Sequence, residues 1–268
     1  GDWSRARVQA DKRDQRVTVI IPARDEESTI GAIVTAIRAD LLIGSNPLVD
    51  DLLVVDSDSS DATARVAREA GARVVATTEV LPDIPTVAGK GEAMWRGLAA
   101  TAGDVVVFLD ADLRSFTPDY VVALLGPILS DSSVHLVKAC YDRPLIADGG
   151  RRVMGGGRVT ELVARPLLNL HWPELAGVAQ PLAGEYAVRR ELIESLPIPC
   201  GYGVEFALLV DTAAALFAHS HADAAAIVRV GAPLDQAAGR EPVDAVGHGA
   251  AAQTRAFGQL YPALRLPS

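Results

Sequence analysis

The sequence of 268 residues contains few cysteines, few aromatic residues and no long hydrophobic run. Its two cysteines, Cys140 and Cys200, form no CxxC pair, which argues against structural zinc and fits a reducing cytoplasm. Aromatic residues make up 5% of the chain, too few for a surface that stacks single-stranded nucleic acid. The longest apolar stretches, such as Val105–Leu109, have strand length, whereas a membrane span needs about 20 residues.

Positive charge is also scarce, because 25 Lys and Arg residues stand against 34 Asp and Glu residues, a net charge of -9. This balance argues against a nucleic-acid surface, so an anionic ligand needs a local basic or amide-rich pocket. Hydrophobic residues make up 49% of the chain, enough for a sizeable core and too many for a disordered protein. The segment from Gly1 to Arg16 has mixed charge and no apolar stretch, which predicts an exposed arm rather than a signal peptide.

Strand-like and helix-like patterns alternate along the chain. Apolar runs typical of strands lie at 17–21, 51–56, 72–76, 104–110 and 134–140, and helical periodicity lies at 30–37, 62–70, 90–100, 118–129, 158–170 and 205–215. This alternation predicts an α/β fold with a Rossmann-like, mostly parallel sheet flanked by helices. We expect the glycine-rich stretch 149–157 to be a flexible loop and residues 179–189 to include a further strand.

Three acidic segments follow predicted strands of this sheet. They are 22–26 after the first strand, 56–61 after the second and 110–112 after the fourth. Because ligands of such sheets bind beyond the carboxyl ends of the strands, we expect these segments to meet at one edge. Asp110 and Asp112 can converge on Mg²⁺ or Mn²⁺, which would neutralise a diphosphate leaving group, although Asp-x-Asp alone also makes solvated turns. The segment 56–61 can contact ribose or base edges, or cap the following helix through Ser60 or Asp61.

Three further motifs offer groups that could bind anions or sugars. Lys90 lies between two glycines at a helix start, and we expect these glycines to let backbone approach a ligand closely. Its side chain can hold a phosphate or the base region of a nucleotide, or remain a solvated lysine. Residues 155–161 form a glycine run that leads into a helix with Arg158 and Thr160, which indicates either an anion site or a flexible loop. Glu205 follows a tight turn, where it can contact a sugar hydroxyl or simply favour the helix dipole.

Taken together, these motifs resemble the retaining, nucleotide-sugar-dependent glycosyltransferases with the GT-A fold. Within them the chain resembles the actinobacterial glucosyl-3-phosphoglycerate synthases of glycosyltransferase family 81, from about residue 17 to residue 211. The matching segments are Ile20–Glu27, Val54–Ser57, Gly89–Glu92, Leu109–Asp112, Tyr141–Pro144, Gly155–Pro166, Gln180–Tyr186 and Gly201–Glu205. The long match Gly155–Pro166 is specific, whereas the Asp-Ala-Asp motif alone is not.

The resemblance implies an enzyme that transfers glucose from UDP-glucose to 3-phosphoglycerate with Mg²⁺ or Mn²⁺, on the route to glucosylglycerate and methylglucose lipopolysaccharide. By residue, it places the nucleotide at Pro22, Ala23, Arg24, Glu26, Ser57 and Lys90, and the acceptor at Gly157, Arg158 and Thr160. Asp112 would bind the metal, Asp110 the donor sugar or the metal, and Glu205 the glucose. The catalytic residues would be Asp110, Glu205 and Lys90. The resemblance also implies a cytoplasmic homodimer without nucleic-acid partners. A GDP-mannose-dependent mannosyl-3-phosphoglycerate synthase, or a nucleotide-sugar-binding protein with little catalysis, remains the alternative.

This resemblance suggests a division of the chain. It gives an N-terminal arm at 1–16, a catalytic domain at 17–215 and a C-terminal extension at 216–268. Residues 17–112 form the nucleotide-sugar half of the catalytic domain, and residues 113–215 form the acceptor half. The chain departs from the family pattern at Asp25, where Asn is commoner, and at Ile227–Asp235, which contains no histidine where the family supplies a metal ligand. His219, His221 and His248 are then the candidates for that ligand.

Overall fold

The computed structural model describes residues 3–140, 144–147, 151–154, 157–219 and 227–231. The α-helices are α1 Arg5–Lys12, α2 Ile30–Ile37, α3 Thr63–Ala70, α4 Lys90–Ala99, α5 Asp119–Ser130, α6 Arg165–His171, α7 Arg190–Ser195 and α8 Val204–His219. The strands are β1 Val17–Ala23, β2 Asp51–Asp56, β3 Arg73–Ala76, β4 Val105–Phe108, β5 Leu136–Cys140, β6 Pro144–Ala147, β7 Arg151–Met154, β8 Tyr186–Arg189 and β9 Ile227–Gly231. No helix in these ranges is both long and apolar enough to cross a membrane.

Seven strands form one mixed sheet in the order β3-β2-β1-β4-β8-β5-β9. The pairs β1 with β2, β1 with β4, and β2 with β3 are parallel, whereas β8 runs antiparallel to both β4 and β5. The parallel half places the segments after β1, β2 and β4 at the same edge. The predicted α/β fold with a mostly parallel sheet is therefore confirmed.

The sheet is covered by helices on both faces, and the first strand shows why. Val19 and Ile21 are fully buried in the core cluster that includes residues of α2 and α5. Ile20 points the other way and is fully buried in the cluster that includes residues of α4 and α8. Successive strand residues face opposite sides, so a continuous apolar run is what a strand covered on both faces requires.

The expectation of an exposed N-terminal arm is wrong. Residues 5–12 form helix α1, whose Val8 is fully buried in the main core. Trp3 packs on Gly126 of α5 so closely that a Cβ at that glycine would overlap the indole ring. Lys12 ends the helix as a buried side chain, paired with Asp50 at 2.8 Å. The many charged residues of this segment conceal a narrow apolar face, which is why its pattern predicts no packed helix.

The expectation of a flexible loop at 149–157 is also wrong for four of its residues. Residues 151–154 form β7, which pairs antiparallel with β6. Pairing with a segment several residues away is not visible in local glycine content, so composition predicts a loop. Strand β9, which pairs in parallel with β5, lies in the segment assigned to a C-terminal extension and was likewise not predicted.

Candidate active site at the carboxyl edge of the sheet

A buried lysine lies between two carboxylates at the edge where the acidic segments meet. Lys90 begins α4, Asp110 follows β4 and Glu205 lies in the first turn of α8. The Lys90 Nζ atom is 2.5 Å from Asp110 Oδ1 and 2.6 Å from Glu205 Oε1. Three residues singled out from separate motifs are thus brought together, and we refer to Lys90, Asp110 and Glu205 as the charge cluster.

The charge cluster is largely shielded from water. The side chains of Lys90, Asp110 and Glu205 are 17%, 28% and 9% exposed. Burial lowers the pKa of Lys90, but the charges of Asp110 and Glu205 act against burial and raise that pKa above its ordinary value. Lys90 is therefore a permanent cation at neutral pH, held in place by charge-assisted hydrogen bonds on two sides.

The glycines on either side of Lys90 have a different use from the one expected. We expected them to let backbone approach a ligand, but the segment Pro199–Gly201 of the same chain occupies that space. A Cβ at Gly89 would overlap the Cys200 carbonyl oxygen, and a Cβ at Gly91 would overlap that of Pro199. Because this segment leads directly into α8, its close packing on α4 fixes the distance between Lys90 and Glu205.

A buried ion pair further along α4 connects this helix to the loop before it. Glu92 Oε1 accepts a 2.7 Å bond from Nε of Arg96, and both side chains are essentially inaccessible to water. The Arg96 guanidinium also donates to the carbonyl oxygens of Val80, Leu81, Ile84 and Pro85. Five donors in a rigid fork suit this role, because Arg can satisfy several carbonyls at once. Helix α4 therefore holds both the 80–85 loop and the segment that begins α8.

The three acidic segments do meet, as predicted from the strand order. Burial raises the pKa of the Glu26 carboxyl, and the charges of Asp112, Asp61 and Asp110 raise it further, against a hydrogen bond from Thr29. Mutual repulsion of this kind requires the carboxylates to lie near one another. Oxygen donors crowded at the end of a sheet are the ligands that Mg²⁺ and Mn²⁺ take, so the residues present fit a divalent cation.

Protein side chains supply only part of a metal shell in the described residues. No group of three His, Cys, Asp or Glu side chains there has the arrangement to hold a metal ion. Asp112, the predicted ligand, is exposed at this edge. Of the candidate histidines, His219 ends α8, where its side chain is not described, and His221 and His248 lie outside the described residues.

The predicted nucleotide residues lie together at the ends of β1 and β2. Pro22 and Ala23 are the last residues of β1, and Ala23 is opposite Asp56 in the register. The backbone N–H of Ser57 donates to the Ala23 carbonyl at 2.9 Å. Arg24 is exposed beyond them. The structure thus places Pro22, Ala23, Arg24 and Ser57 on one side of the edge.

Asp56 belongs to the segment 56–61 that can contact ribose or base edges, but it was not among the residues named for the nucleotide. It is 9% exposed, and its Oδ1 atom has no hydrogen-bond partner among the described residues. A buried carboxylate oxygen without a partner is costly, so a ligand donor would stabilise it. The signal in the sequence was its position as the last residue of a buried strand.

Hydrogen bonds join the loop after β1 to the loop after β2. Asp25 Oδ1 accepts from the backbone N–H and the hydroxyl of Ser60, at 2.7 and 3.0 Å. The Glu26 N–H donates to the Thr63 hydroxyl at 2.7 Å. Asp25 has φ +56°, a left-handed conformation that Asp and Asn adopt more readily than most residues. The departure from Asn at this position therefore keeps both the conformation and the acceptor oxygen.

The predicted acceptor residues lie at the start of the helical run that leads into α6. Glu161 donates its backbone N–H to the Gly157 carbonyl at 3.1 Å, which closes the first turn. Arg158 is exposed, whereas Thr160 is 8% exposed. In the described part of the chain, neither side chain hydrogen bonds to the charge cluster, so the structure does not join this motif to Lys90.

Two buried charged residues beside the charge cluster were missed altogether. Lys138 lies within β5 and is 4% exposed, and Glu185 precedes β8 and is fully buried. The available signal was a lysine in the middle of the apolar run 134–140, where a charge is rarely placed without a partner.

Comparison with known proteins identifies the family. The model of the glycosyl transferase family 2 matches residues 18–144. Glucosyl-3-phosphoglycerate synthases from Mycolicibacterium paratuberculosis, Mycolicibacterium smegmatis and Mycobacterium tuberculosis H37Rv are 52%, 51% and 47% identical over 78%, 78% and 87% of this chain. The chain covers 64%, 68% and 72% of those relatives, so it spans only about two thirds of their length.

Solved structures of the Mycobacterium tuberculosis enzyme are similar to this fold. A complex of that enzyme with Mn²⁺, UDP and glucosyl-3-phosphoglycerate has a TM-score of 0.76 at 44% identity, over 87% of this chain and 76% of that chain. A complex with Mn²⁺, UDP-glucose and phosphoglyceric acid has a TM-score of 0.75 at 45% identity, over 86% and 74%. Since its identity to full relatives exceeds 45% over most of its length, this chain belongs to the glucosyl-3-phosphoglycerate synthase family.

Proposed function

We propose that this chain transfers glucose from UDP-glucose to 3-phosphoglycerate, giving glucosyl-3-phosphoglycerate and UDP in a reaction that depends on Mg²⁺ or Mn²⁺. The observation that carries the proposal is the charge cluster, in which a buried cation lies between two carboxylates beside the acidic edge of the sheet. Related structures with UDP-glucose, phosphoglyceric acid and Mn²⁺ support the same substrates for this chain.

On this proposal, the nucleotide lies at the ends of β1 and β2. Its contacts would be Pro22, Ala23, Arg24, Glu26, Ser57 and Lys90. Their support is position, because these residues share the edge beyond the carboxyl ends of parallel strands, where nucleotides bind in such sheets. The unpartnered oxygen of Asp56 is available to a hydroxyl or N–H of the ligand.

The metal would lie beside Asp112, with Asp110 and Glu26 near it. The cation would neutralise charge on the diphosphate of the departing UDP. The incomplete set of side-chain ligands in the described residues agrees with a shell that the diphosphate and water complete.

Lys90, Asp110 and Glu205 would surround the donor sugar. Lys90 supplies a fixed positive charge in a site of low exposure, where such a charge stabilises a leaving diphosphate most strongly. Asp110 and Glu205 orient Lys90 and accept hydrogen bonds from sugar hydroxyls. Because Asp110 and Glu205 are both paired with Lys90, the described residues around the sugar leave no free carboxylate for a covalent intermediate. We therefore propose retention by attack of the acceptor hydroxyl on the face that UDP leaves.

The acceptor would bind at Gly157, Arg158 and Thr160. An exposed guanidinium, a hydroxyl and the N–H groups of a helix start are suited to a phosphate and a carboxylate. Gly157 has open space around the position of a Cβ, so its backbone can be approached closely.

The family resemblance also suggests a domain division and an oligomeric state for this chain. We propose a homodimer in the cytoplasm, with residues 17–215 as the catalytic domain, of which 17–112 bind the donor and 113–215 the acceptor. The helical run from 158 to 171 exposes four large apolar side chains that an interface could cover. They are Val159, Leu162, Val163 and Leu170, at 62%, 74%, 46% and 73% exposure.

A donor panel tests this function directly. Nucleotide release is measured with UDP-glucose or GDP-mannose, with and without 3-phosphoglycerate, in Mg²⁺ or EDTA. We expect turnover only when UDP-glucose, 3-phosphoglycerate and metal are all present, and an α-linked product by NMR. Faster turnover with GDP-mannose would favour the mannosyl alternative, and nucleotide binding without turnover would favour a binding protein. The high identity to relatives named for glucosyl transfer favours glucose.

A further inference from the structure

A second buried lysine lies behind the charge cluster, and the proposed mechanism leaves it unused. Lys138 is 4% exposed in the middle of β5, and its Nζ atom donates a 2.9 Å hydrogen bond to the Ala183 carbonyl. The same Nζ atom lies 5.0 Å from the centre of the Tyr186 ring. Burying an ammonium group costs free energy unless neighbouring groups compensate for lost water, so this placement needs an explanation.

The hydrogen bond of Lys138 leads directly to the charge cluster. Ala183 is followed by Gly184, whose Cα lies against the carboxylate of Asp110. A Cβ at Gly184 would overlap both carboxylate oxygens of Asp110, so only glycine permits this packing. The position of the Ala183–Gly184 backbone therefore sets the position of Asp110 under Lys90.

Lys138 is also coupled to the cluster through charge. Burial lowers the pKa of Lys138 to about 8, and the next strongest influence is the charge of Glu205, which raises that pKa. Smaller effects come from Lys90, which lowers the pKa, and from Glu185 and Asp110, which raise it. Every member of the charge cluster thus interacts with Lys138.

We propose that Lys138 is a positioning residue for glucosyl transfer. It holds the Ala183–Gly184 backbone against Asp110 and supplies a second positive charge beside Glu205. Without Lys138, Lys90 alone would balance the carboxylates of Asp110 and Glu205, and their repulsion would loosen the cluster. This inference rests on the proposed glucosyl transfer.

The test compares Lys138→Met with the unchanged chain in UDP-glucose, 3-phosphoglycerate and Mg²⁺. We expect kcat to fall by about 10- to 100-fold, because a displacement of about 1 Å in a catalytic group has effects of that size. Both KM values should change by less than about threefold, since Lys138 is placed against neither substrate. An unchanged kcat in folded Lys138→Met protein would overturn the proposal.

Lys12→Met is the matched control. Lys12 is also buried, at 6% exposure, and donates to the Pro47 carbonyl at 2.8 Å beside its ion pair with Asp50. It lies on α1, which packs on α5 rather than on the charge cluster. We expect Lys12→Met to lower Tm as Lys138→Met does but to keep kcat within about twofold. An equal loss of kcat in both variants would show that stability alone is responsible.

The double variant K138M/E185Q separates positioning from simple neutralisation. Glu185 is fully buried, and its charge acts on Lys138, so removing both charges should restore Tm. We expect kcat to stay low in this folded double variant. The double variant therefore tests the positioning role of Lys138 even if Lys138→Met does not fold. Recovery of kcat with Tm would overturn the proposal. If the unchanged chain lacked turnover, the proposed function itself would fall. If the unchanged chain were active and the Lys138 variants kept its full kcat, this inference alone would fall.

Discussion

Replacing Gly91 by alanine should move Glu205 away from Lys90 and lower kcat. A Cβ at Gly91 would overlap the Pro199 carbonyl oxygen and lie 2.9 Å from the Pro199 carbonyl carbon. Both atoms belong to backbone, which cannot rotate away as a side chain can. The segment must therefore shift, and α8 with Glu205 shifts with it.

The expected loss of stability in Gly91→Ala is the difference between two opposing effects. Overpacking a close contact costs about 1–3 kcal/mol, whereas replacing glycine by alanine within a helix returns up to about 1 kcal/mol. If overpacking costs about 2 kcal/mol, the middle of its range, the net loss is about 1–2 kcal/mol, which corresponds to a fall in Tm of roughly 2–8 °C for a domain of this size. A displacement of Glu205 by about 1 Å would lower kcat by up to about 100-fold.

Gly97→Ala provides the comparison, since Gly97 lies on the same helix. Its Cβ would lie 2.7 Å from Ile20 Cγ2 and 3.2 Å from Val55 Cγ2, both side-chain atoms of the core. This variant should lose Tm but keep kcat, because the atoms that it displaces belong to core side chains and not to the backbone that leads into α8 and Glu205. UDP release under saturating substrates and thermal unfolding measure the two quantities. A kcat for Gly91→Ala equal to that of Gly97→Ala would refute the reasoning.

Three other predictions concern single side chains. Asp112→Ala should abolish turnover and weaken Mn²⁺ binding in the presence of UDP. The circular dichroism spectrum should stay unchanged, because an exposed carboxylate adds little to the core. Full activity of this variant would show that Asp112 is not a metal ligand. Arg158→Ala should raise the KM for 3-phosphoglycerate by about tenfold or more through loss of a charge-assisted hydrogen bond, with little change for UDP-glucose; an equal rise for the donor would place Arg158 at the other substrate. Since burial lowers the pKa of Lys138 from 10.5 to about 8, the unfolded chain binds more protons between these values, and stability should rise with pH across that window. Lys138→Met should lose this rise in denaturant unfolding, and equal slopes would show that Lys138 titrates normally.

The sequence predicted the parallel half of the sheet well, because that half is encoded locally. The run Val17–Ile21 is apolar at every position except Thr18, as a strand covered on both faces must be. The order of strands and helices then places 22–26, 56–61 and 110–112 at one edge without any knowledge of contacts. The meeting of Lys90 with Asp110 was implied by the family resemblance rather than by the strand order.

What the sequence could not predict depends on contacts between distant segments. The glycines around Lys90 gave no sign that the chain itself, at Pro199–Gly201, would occupy the space beside them. Lys138 was hidden in an apolar run, because its partners come from the segment that leads into β8, from β8 itself and from α8 rather than from its neighbours in sequence. The packing of α1 on α5 likewise depends on the contact of Trp3 with Gly126, two residues that are far apart in the sequence.

The hydrogen bonds between the loops after β1 and β2 bear on how donor choice could be redesigned. Asp25 and Glu26 of the first loop are bonded to Ser60 and Thr63, so neither loop keeps its shape without the other. Exchanging a single loop with that of a relative would leave hydrogen-bond acceptors and donors without partners. The exchange would therefore lower the stability of the fold before it changed the choice of donor. The smallest unit that can be transplanted is therefore the pair of loops, with the strand ends that carry them.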